Sequence, residues 1–184
     1  MKMNRLVWIA ICLALMSGCG RQAEKKALLP GERYGVTVIC GETGVKGAFT
    51  LYQNGDFVFQ CKDPVSPLFG LKESVRNGVY RSEFQGISPE SEAMPATARL
   101  IREALQKLEA ETETKETALF VIDGEQCLKR SVSLEKGDAQ LWQSEDEGTP
   151  VLLEIEGEGV KVTVRFSGNK TESEPYTETT VPTE

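Results

Sequence analysis

A period-two alternation of apolar and charged residues constrains this chain more than any other feature. Between residues 160 and 166 the even positions are apolar, while Lys161, Thr163 and Arg165 fill the odd ones. Successive side chains of a strand point to opposite faces, so such a segment has one buried and one wetted side. The pattern recurs in nine or ten segments from Tyr34 onward, and it predicts an antiparallel sheet with a single apolar face.

Turn and helix signals interrupt this alternation at defined places. Asn54-Gly55 and Asn77-Gly78 are type I′ hairpin signals between adjacent strands. Pro95 suits the first turn of a helix, which we expect to continue to about Ala110. The apolar residues of this segment repeat at helical spacing, and they are Leu100, Ile101, Ala104, Leu105 and Leu108.

One amphipathic helix is narrow beside a sheet of nine or ten strands. Either the sheet curls strongly on itself, or part of its concave face stays open as a cavity. We therefore expect an α+β fold that is mainly antiparallel β, in which an incomplete, curled β-barrel carries one main helix on its concave face. We expect this helix to pack as core rather than to act as a movable lid, because the wide sheet needs an apolar partner.

The candidate ligand-contacting residues are the inward-facing apolar positions of the sheet and the helix. A phenylalanine-rich cluster of this kind is either a filled core or the lining of a cavity, and the sequence leaves both interpretations open. We predict no catalytic residue, no metal ligand and no cofactor. The candidate cavity-lining residues are Val36, Val38, Phe49, Leu51, Phe57, Phe59, Leu105, Val162 and Val164.

The N-terminus has the features of an export signal. Lys2 and Arg5 precede an eleven-residue apolar run at 6–16. That length fits a signal-peptide core of roughly 7–15 residues and is too short for a spanning helix of about 20. The run leads into Leu-Met-Ser-Gly-Cys at 15–19, which resembles the lipobox of bacterial lipoproteins. In that motif the cysteine is diacylated and becomes the first residue, so Cys19 is the predicted lipidation site. The alternative is an ordinary secreted protein that is cleaved nearby.

These features divide the chain into four parts. We expect a lipoprotein signal peptide at 1–18, a lipid anchor and tether at 19–33, and a β domain at 34–167. The segment 168–184 is rich in Thr, Glu and Pro and lacks a core pattern, so we expect a disordered tail there. The N-terminal lipid would hold the protein on the extracytoplasmic face of a cell membrane.

The net charge limits the partners that we expect. It is −7 for the whole chain, and removing Lys2 and Arg5 with the leader leaves −9. An acidic surface argues against nucleic-acid binding and against adhesion to anionic lipid headgroups. The membrane contact is therefore expected to be the covalent lipid alone.

Composition also argues against common catalytic and metal sites. The chain has no histidine, which removes His triads, His general bases and His metal ligands. Cys40, Cys61 and Cys127 follow the anchor without a C-x-x-C motif, and we expect buried free thiols rather than a disulfide. Acidic residues such as Asp56 and Asp63 occur in turns, where they stabilise the backbone or face water. A cell-envelope enzyme that uses two carboxylates on cell-wall glycans is the alternative to a binding module.

The order of the elements resembles that of a known family. Phe57-Val58-Phe59 leads to Asp63-Pro64, and Leu68-Phe69-Gly70-Leu71, Asn77-Gly78 and Gly86-Ile87 follow. With the lipobox, this progression resembles the LolA/LolB-like lipoproteins, including Gram-positive sporulation and germination lipoproteins. The resemblance implies an incomplete β-barrel with an apolar interior. In LolA and LolB that interior accepts lipoprotein acyl chains, and in the sporulation relatives the fold binds a partner protein. It therefore implies a non-enzymatic module for an acyl chain or an extracytoplasmic protein.

Replacing Cys19 with alanine tests the predicted anchor. No acyl chain can be attached without the thiol, so Cys19→Ala should move the protein from the membrane fraction to the medium or leave it unprocessed. Cell fractionation followed by immunoblotting measures both outcomes. A variant that is correctly processed and still membrane-bound would contradict the predicted lipidation site.

Overall fold

A computed structural model describes residues 30–88, 93–110 and 118–170. Within these ranges the strands and the helix follow one another in the order that the alternation and the helical stripe predict. A single turn of 3-10 helix at Gln53–Gly55 joins the second strand to the third. The elements are β1 (Arg33–Cys40), β2 (Thr43–Leu51), β3 (Phe57–Cys61), β4 (Lys72–Arg76), β5 (Val79–Glu83), α1 (Ala96–Ala110), β6 (Leu119–Ile122), β7 (Glu125–Leu134), β8 (Gly137–Ser144), β9 (Pro150–Gly157) and β10 (Val160–Lys170).

The ten strands form one antiparallel sheet in the order β5-β4-β3-β2-β1-β10-β9-β8-β7-β6. Each half of the chain is a meander, and the pairing of β1 with β10 joins the two meanders in the middle. Strands β5 and β6 are the two edges, so the sheet is not closed. This open antiparallel sheet with one helix confirms the predicted fold class.

The register of the strands brings the inward-facing apolar residues into rows. Val38 lies opposite Val45 of β2 and Val164 of β10, and Val164 lies opposite Leu153 of β9. Opposite residues of paired strands point to the same side, so these rows form one apolar face. We call the face that α1 covers the inner face, and the opposite one the outer face.

Both predicted Asn-Gly turns have the backbone conformation that the sequence indicates. The φ angles are 60° at Asn54 and 69° at Gly55, and 51° at Asn77 and 76° at Gly78. A type I′ turn needs positive φ at both central residues, which Asn and Gly tolerate better than other residues. The turns therefore set the register of β2 with β3 and of β4 with β5.

Helix α1 packs on the inner face and completes the main core. Leu100, Ala104 and Leu108 are almost fully buried, and Leu105 is buried as well. The helix is therefore a core element, as the sequence predicts, and not a lid. The fully buried side chains around it include Phe49, Val75, Leu141, Leu153, Ile155, Val162 and Val164.

The buried carboxylate of Asp56 ties the first meander to the helix. Its Oδ1 accepts a 3.1 Å hydrogen bond from Nε of Arg102, and its Oδ2 accepts one from the backbone N–H of Asn77. The backbone N–H of Asn54 donates to a carboxylate oxygen of Glu109 at 3.0 Å. The sequence indicated only a turn-stabilising or solvated role for Asp56. Its burial shows that it joins two hairpin turns and α1.

The second meander holds the opposite side of α1. Arg130 is buried, and its Nη2 donates to the backbone carbonyl of Leu108 at 2.7 Å. That carbonyl belongs to the last helical turn, where no partner exists within the helix. Near the other helix end, Glu158 pairs with Lys136 at 3.1 Å and with Arg99. Hydrogen bonds from Lys136 and Arg99 hold the pKa of Glu158 below its ordinary value.

A second, smaller apolar cluster lies on the outer face of the second meander. Trp142 points away from the main core. It is covered, because it is buried against Cys127 and Leu152, with Ile122 and Val151 packed beside them.

The three cysteines of the β domain are free thiols. Cys61 and Cys127 are buried, as predicted. The prediction was wrong for Cys40, which is exposed. Cys40 is the last residue of β1, and it lies at the rim of the pocket described below rather than under the helix.

Several predictions concern residues outside the described ranges. The signal peptide, Cys19 and most of the tether fall within 1–29, and most of the predicted tail falls within 171–184. Strand β10 continues to Lys170, slightly past the predicted end of the domain at 167. In the described part of the chain, no helix has both the length and the apolar character that crossing a bilayer requires.

Substitution of Gly55 tests whether the first hairpin turn is packed against α1. A Cβ at Gly55 would lie 2.4 Å from the carbonyl oxygen of Arg102, whereas a Cβ at Gly124 would meet nothing within 4 Å. Both glycines have positive φ, 69° and 88°, so both alanine variants lose about 1–2 kcal/mol from the left-handed backbone. Gly55→Ala should lose about 1–3 kcal/mol more because it overpacks the helix.

Urea unfolding of Gly55→Ala and Gly124→Ala in parallel measures this difference. The shared backbone strain cancels between the two variants, so the remaining difference reports the contact between the turn and the helix. Equal losses of unfolding free energy would mean that α1 does not press on the Asn54-Gly55 turn.

Candidate binding pocket

Helix α1 does not fill the whole inner face, and a pocket of about 280 Å³ remains beside its N-terminal half. The floor comes from the first meander and from β10. The roof comes from α1 and from the loop between β3 and β4. The lining residues are Val38, Cys40, Thr43, Val45, Phe49, Phe57, Phe59, Leu68, Leu71, Glu73, Thr97, Ala98, Ile101 and Val162.

Three phenylalanines form the floor of the pocket. The rings of Phe49 and Phe57 stack with their centroids 5.2 Å apart and an interplanar angle of 20°. The ring of Phe59 lies over the backbone of Gly47, where a Cβ would come within 2.7 Å of it. The same Cβ would lie 2.3 Å from the carbonyl oxygen of Gln60, so the close packing of this ring and of β3 against β2 requires a glycine at residue 47.

The roof combines residues of α1 with residues of the loop that follows β3. Thr97, Ala98 and Ile101 come from the first turns of the helix. Leu68 and Leu71 come from the loop, where backbone hydrogen bonds hold the chain close to the end of β3: the N–H of Cys61 donates to Leu71 O at 2.8 Å. Proline residues in this loop prevent it from continuing the sheet ladder.

Glu73 is the one carboxylate among the lining residues, and a tyrosine engages it. The hydroxyl of Tyr80 donates to Oε1 of Glu73 at 2.7 Å. Burial, followed by the hydrogen bond and the charge of Glu73, raises the pKa of Tyr80 to about 12. The pair thus gives the pocket one polar wall, and the hydroxyls of Thr43 and Thr97 and the thiol of Cys40 are its other polar groups.

The predicted cavity residues divide into two groups. Val38, Phe49, Phe57, Phe59 and Val162 line the pocket. The other four predicted residues are buried in the packed core instead, because the body of α1 fills the inner face where they lie. These four are Val36, Leu51, Leu105 and Val164.

Other lining residues were not among the candidates, although the sequence contained a signal for some of them. Val45 lies directly opposite Val38, and Ile101 belongs to the apolar stripe of the helix. Leu68 and Leu71 follow no periodic pattern, so their position over the pocket could not be read from the sequence. Glu73 looked like one of many strand carboxylates.

The described residues offer no arrangement typical of a metal centre, because no group of three or more Cys, Asp or Glu residues among them is placed to hold a metal ion. Carboxylates do cluster on the outer face, in a groove of about 450 Å³ between β8 and β9 that includes Asp138, Glu154 and Glu156. Asp138 and Glu156 are exposed to water. The pocket beside α1, by contrast, has a single carboxylate among its lining residues.

Comparisons with known proteins give only distant likenesses. No protein-family model and no curated protein matches the sequence. LprF from Mycobacterium bovis is 15% identical, with a TM-score of 0.41 and coverage of 83% of this chain and 90% of that one. Lipoprotein LppX from Mycobacterium tuberculosis is 14% identical, with a TM-score of 0.42 and coverage of 92% and 96%. An uncharacterized conserved protein from Thermus thermophilus is 11% identical, with a TM-score of 0.40 and coverage of 74% and 80%.

Sequence identities and TM-scores this low support no conclusion about the pocket of this chain. The fold class rests on the sheet and helix themselves, and the relation to LolA/LolB-like proteins stays a prediction.

The titration of Tyr80 tests the polar wall of the pocket. Its pKa of about 12 lies above the ordinary value of 10.0, so the folded protein favours the neutral phenol. The corresponding stability is fully present below pH 10 and is lost as the pH rises towards 12, because the unfolded chain releases the proton first. The difference in tyrosinate absorbance between the wild type and Tyr80→Phe isolates this group during an alkaline titration.

Glu73→Gln separates the two causes of the shift. Removing the carboxylate should lower the pKa of Tyr80, while burial keeps it above 10. An unchanged titration in Glu73→Gln would mean that Tyr80 and Glu73 do not interact in solution.

Proposed function

We propose that the chain is a membrane-anchored, extracytoplasmic binding protein whose inner pocket takes one acyl chain. The observation that carries the proposal is an apolar space that α1 leaves unfilled at one end of the inner face. Aromatic and aliphatic side chains dominate its lining, as is typical of small-molecule sites. The lipobox-like segment at 15–19 supports the membrane anchor.

The size of the pocket suits one unbranched chain. Its volume of about 280 Å³ lies near the lower limit of the roughly 300–1,000 Å³ found for small-molecule sites. Each buried methylene contributes about 0.8 kcal/mol. About ten methylenes therefore contribute about 8 kcal/mol, which corresponds to a Kd of about 1 μM before the costs of association. We expect micromolar or weaker binding.

A protein partner is the second candidate function, and the edge strand β6 favours it. Leu119 and Val121 each expose more than half of their surface on this strand. An edge strand with exposed apolar side chains and unpaired backbone groups is a template for a strand of another chain. The family resemblance allows either an acyl chain or a protein partner.

A pocket-filling substitution tests the acyl-chain proposal. Val45 lines the pocket from β2, so the larger side chain of Val45→Phe should occupy part of the space that a ligand needs. We expect it to weaken the binding of a fluorescent long-chain fatty acid by at least about tenfold, because two or more methylenes lose their contacts. Val121→Phe is the matched control, since residue 121 is exposed on β6, outside the pocket lining.

Native mass spectrometry of the purified protein gives an independent measurement. An acyl-containing molecule that co-purifies with the wild type and with Val121→Phe, but not with Val45→Phe, would support the proposal. Equal fatty-acid binding by all three proteins would place the ligand elsewhere. A wild type that neither binds the probe nor carries a lipid would favour the protein-partner function.

A further inference from the structure

The outer face of the first meander is positively charged although the chain as a whole is acidic. Strand residues alternate between the two faces, so the outward positions follow from the register. Among the outward positions of β1–β5, Glu83 is the one acidic residue. The cations at these positions are Arg33, Lys46, Lys72, Arg76 and Arg81.

Three other acidic residues of this half of the chain are engaged away from this face. Glu73 points inward and bonds Tyr80. Asp56 is buried with Arg102, and Asp63 accepts a hydrogen bond from the backbone of Val65 in the β3–β4 loop. The chain therefore has a basic surface despite its net charge of −7, because many acidic side chains do not reach the outer face of the first meander.

The basic surface has a centre on β4 and β5. Lys72 and Arg76 lie on either side of Ser74 along β4, each about 7 Å away at two residues of strand rise. Arg81 of β5 lies directly opposite Ser74. These residues, with Val79, border a groove of about 310 Å³.

The cations of this groove are available to a ligand. None of Lys72, Arg76 and Arg81 forms an ion pair within the described part of the chain. The guanidinium of Arg76 lies 3.2 Å from the ring centroid of Tyr52, and this cation–π contact holds it in place without neutralising it. Lys72 lies directly opposite Glu83, whereas Arg76 and Arg81 lie opposite Val79 and Ser74. The groove therefore presents a net positive charge around the hydroxyl of Ser74, an arrangement that suits a phosphate group.

The outer face of the second meander has no such excess of positive charge. Lys161 lies opposite Glu156, which in turn lies opposite Asp138. Strand β9 is five strand spacings from β4, or about 24 Å at about 4.8 Å per strand. That distance exceeds the Debye length of about 8 Å at physiological ionic strength, so the acidic groove does not cancel the basic one.

We propose that this basic face docks onto an anionic phospholipid bilayer. Val79 is 55% exposed between Arg76 and Arg81, and a bilayer surface offers phosphates and apolar groups together, whereas a soluble polyanion offers only the charges. Arg33, the first residue of β1, belongs to the same face. The tether from Cys19 thus enters the domain at the basic face, and the 14 residue steps from Cys19 to Arg33 reach at most about 50 Å.

We choose a bilayer as the ligand because the proposed function includes a membrane anchor. The charge pattern of the outer face is independent of that proposed function. The proposal also revises the expectation that the covalent lipid is the sole membrane contact. That expectation assumed an acidic surface because the net charge is negative. The outer face of the first meander, however, is basic.

Vesicle binding of the full chain carrying Cys19→Ser tests the proposal without the acyl anchor. We would compare vesicles of phosphatidylcholine alone with vesicles that also contain phosphatidylglycerol. The test variant is Lys72→Gln/Arg76→Gln/Arg81→Gln. The matched control is Lys129→Gln/Lys161→Gln/Arg165→Gln, which removes the same number of charges from the outer face of the second meander. The leader contributes equally to every sample.

We expect the parent and control proteins to prefer the phosphatidylglycerol vesicles and the test variant to bind them at least about tenfold more weakly, given the contribution of each Lys or Arg near an anionic surface. Raising the salt from about 0.1 M to about 1 M should abolish the preference of the parent protein, because the Debye length falls to about 3 Å. Circular dichroism of the test and control variants shows whether both fold, so that a difference in their vesicle binding reports the substituted charges.

Three outcomes would overturn the proposal. The parent protein could show no preference for phosphatidylglycerol, or the test and control variants could bind equally. Sedimentation without lipid could also show salt-sensitive self-association that the test variant loses, which would make a second copy of the chain the occupant. None of these outcomes depends on fatty-acid binding by the inner pocket, so they are distinct from a failure of the proposed function.

Discussion

The position of one helix on the inner face decides the rest of this structure. The described strands form a single open sheet, and α1 is the element that covers it. Both meanders hold the helix: Asp56 bonds Arg102 from one side, and Arg130 bonds the carbonyl of Leu108 from the other. Because the hydrogen bonds and ion pairs come from opposite halves of the sheet, seating the helix also joins the two meanders.

A helix that is narrower and shorter than the sheet cannot cover all of it. Where Leu105 and Leu108 pack, the inner face is filled and contributes to the core. Beside Ala98 and Ile101, part of the inner face is left uncovered and a pocket remains. One helix therefore supplies both the stability and the candidate site, and the fully buried leucines make it an unsuitable element for large movements during binding.

The sequence predicted local features well and long-range placement poorly. Alternation identified which residues face inward, and the two Asn-Gly pairs located hairpin turns, because strand period and positive φ are properties of short segments. Leu105 and Ile101 lie on the same helical stripe, but Leu105 is core and Ile101 lines the pocket. That difference depends on where α1 docks along the sheet. For the same reason, the burial of Asp56 could not be inferred from its place in a turn.

The charged residues show the same difference between what the composition predicts and what the fold determines. A net charge of −7 describes the chain at distances where all its charges act together, but contacts with a surface are decided within about one Debye length. At that range, the groove around Ser74 presents Lys72, Arg76 and Arg81, while Glu73 on the same strand points to the opposite face. Strand alternation thus separates charges of opposite sign onto opposite faces of one strand. An acidic chain can in this way carry a basic docking face, and only the register of its strands reveals it.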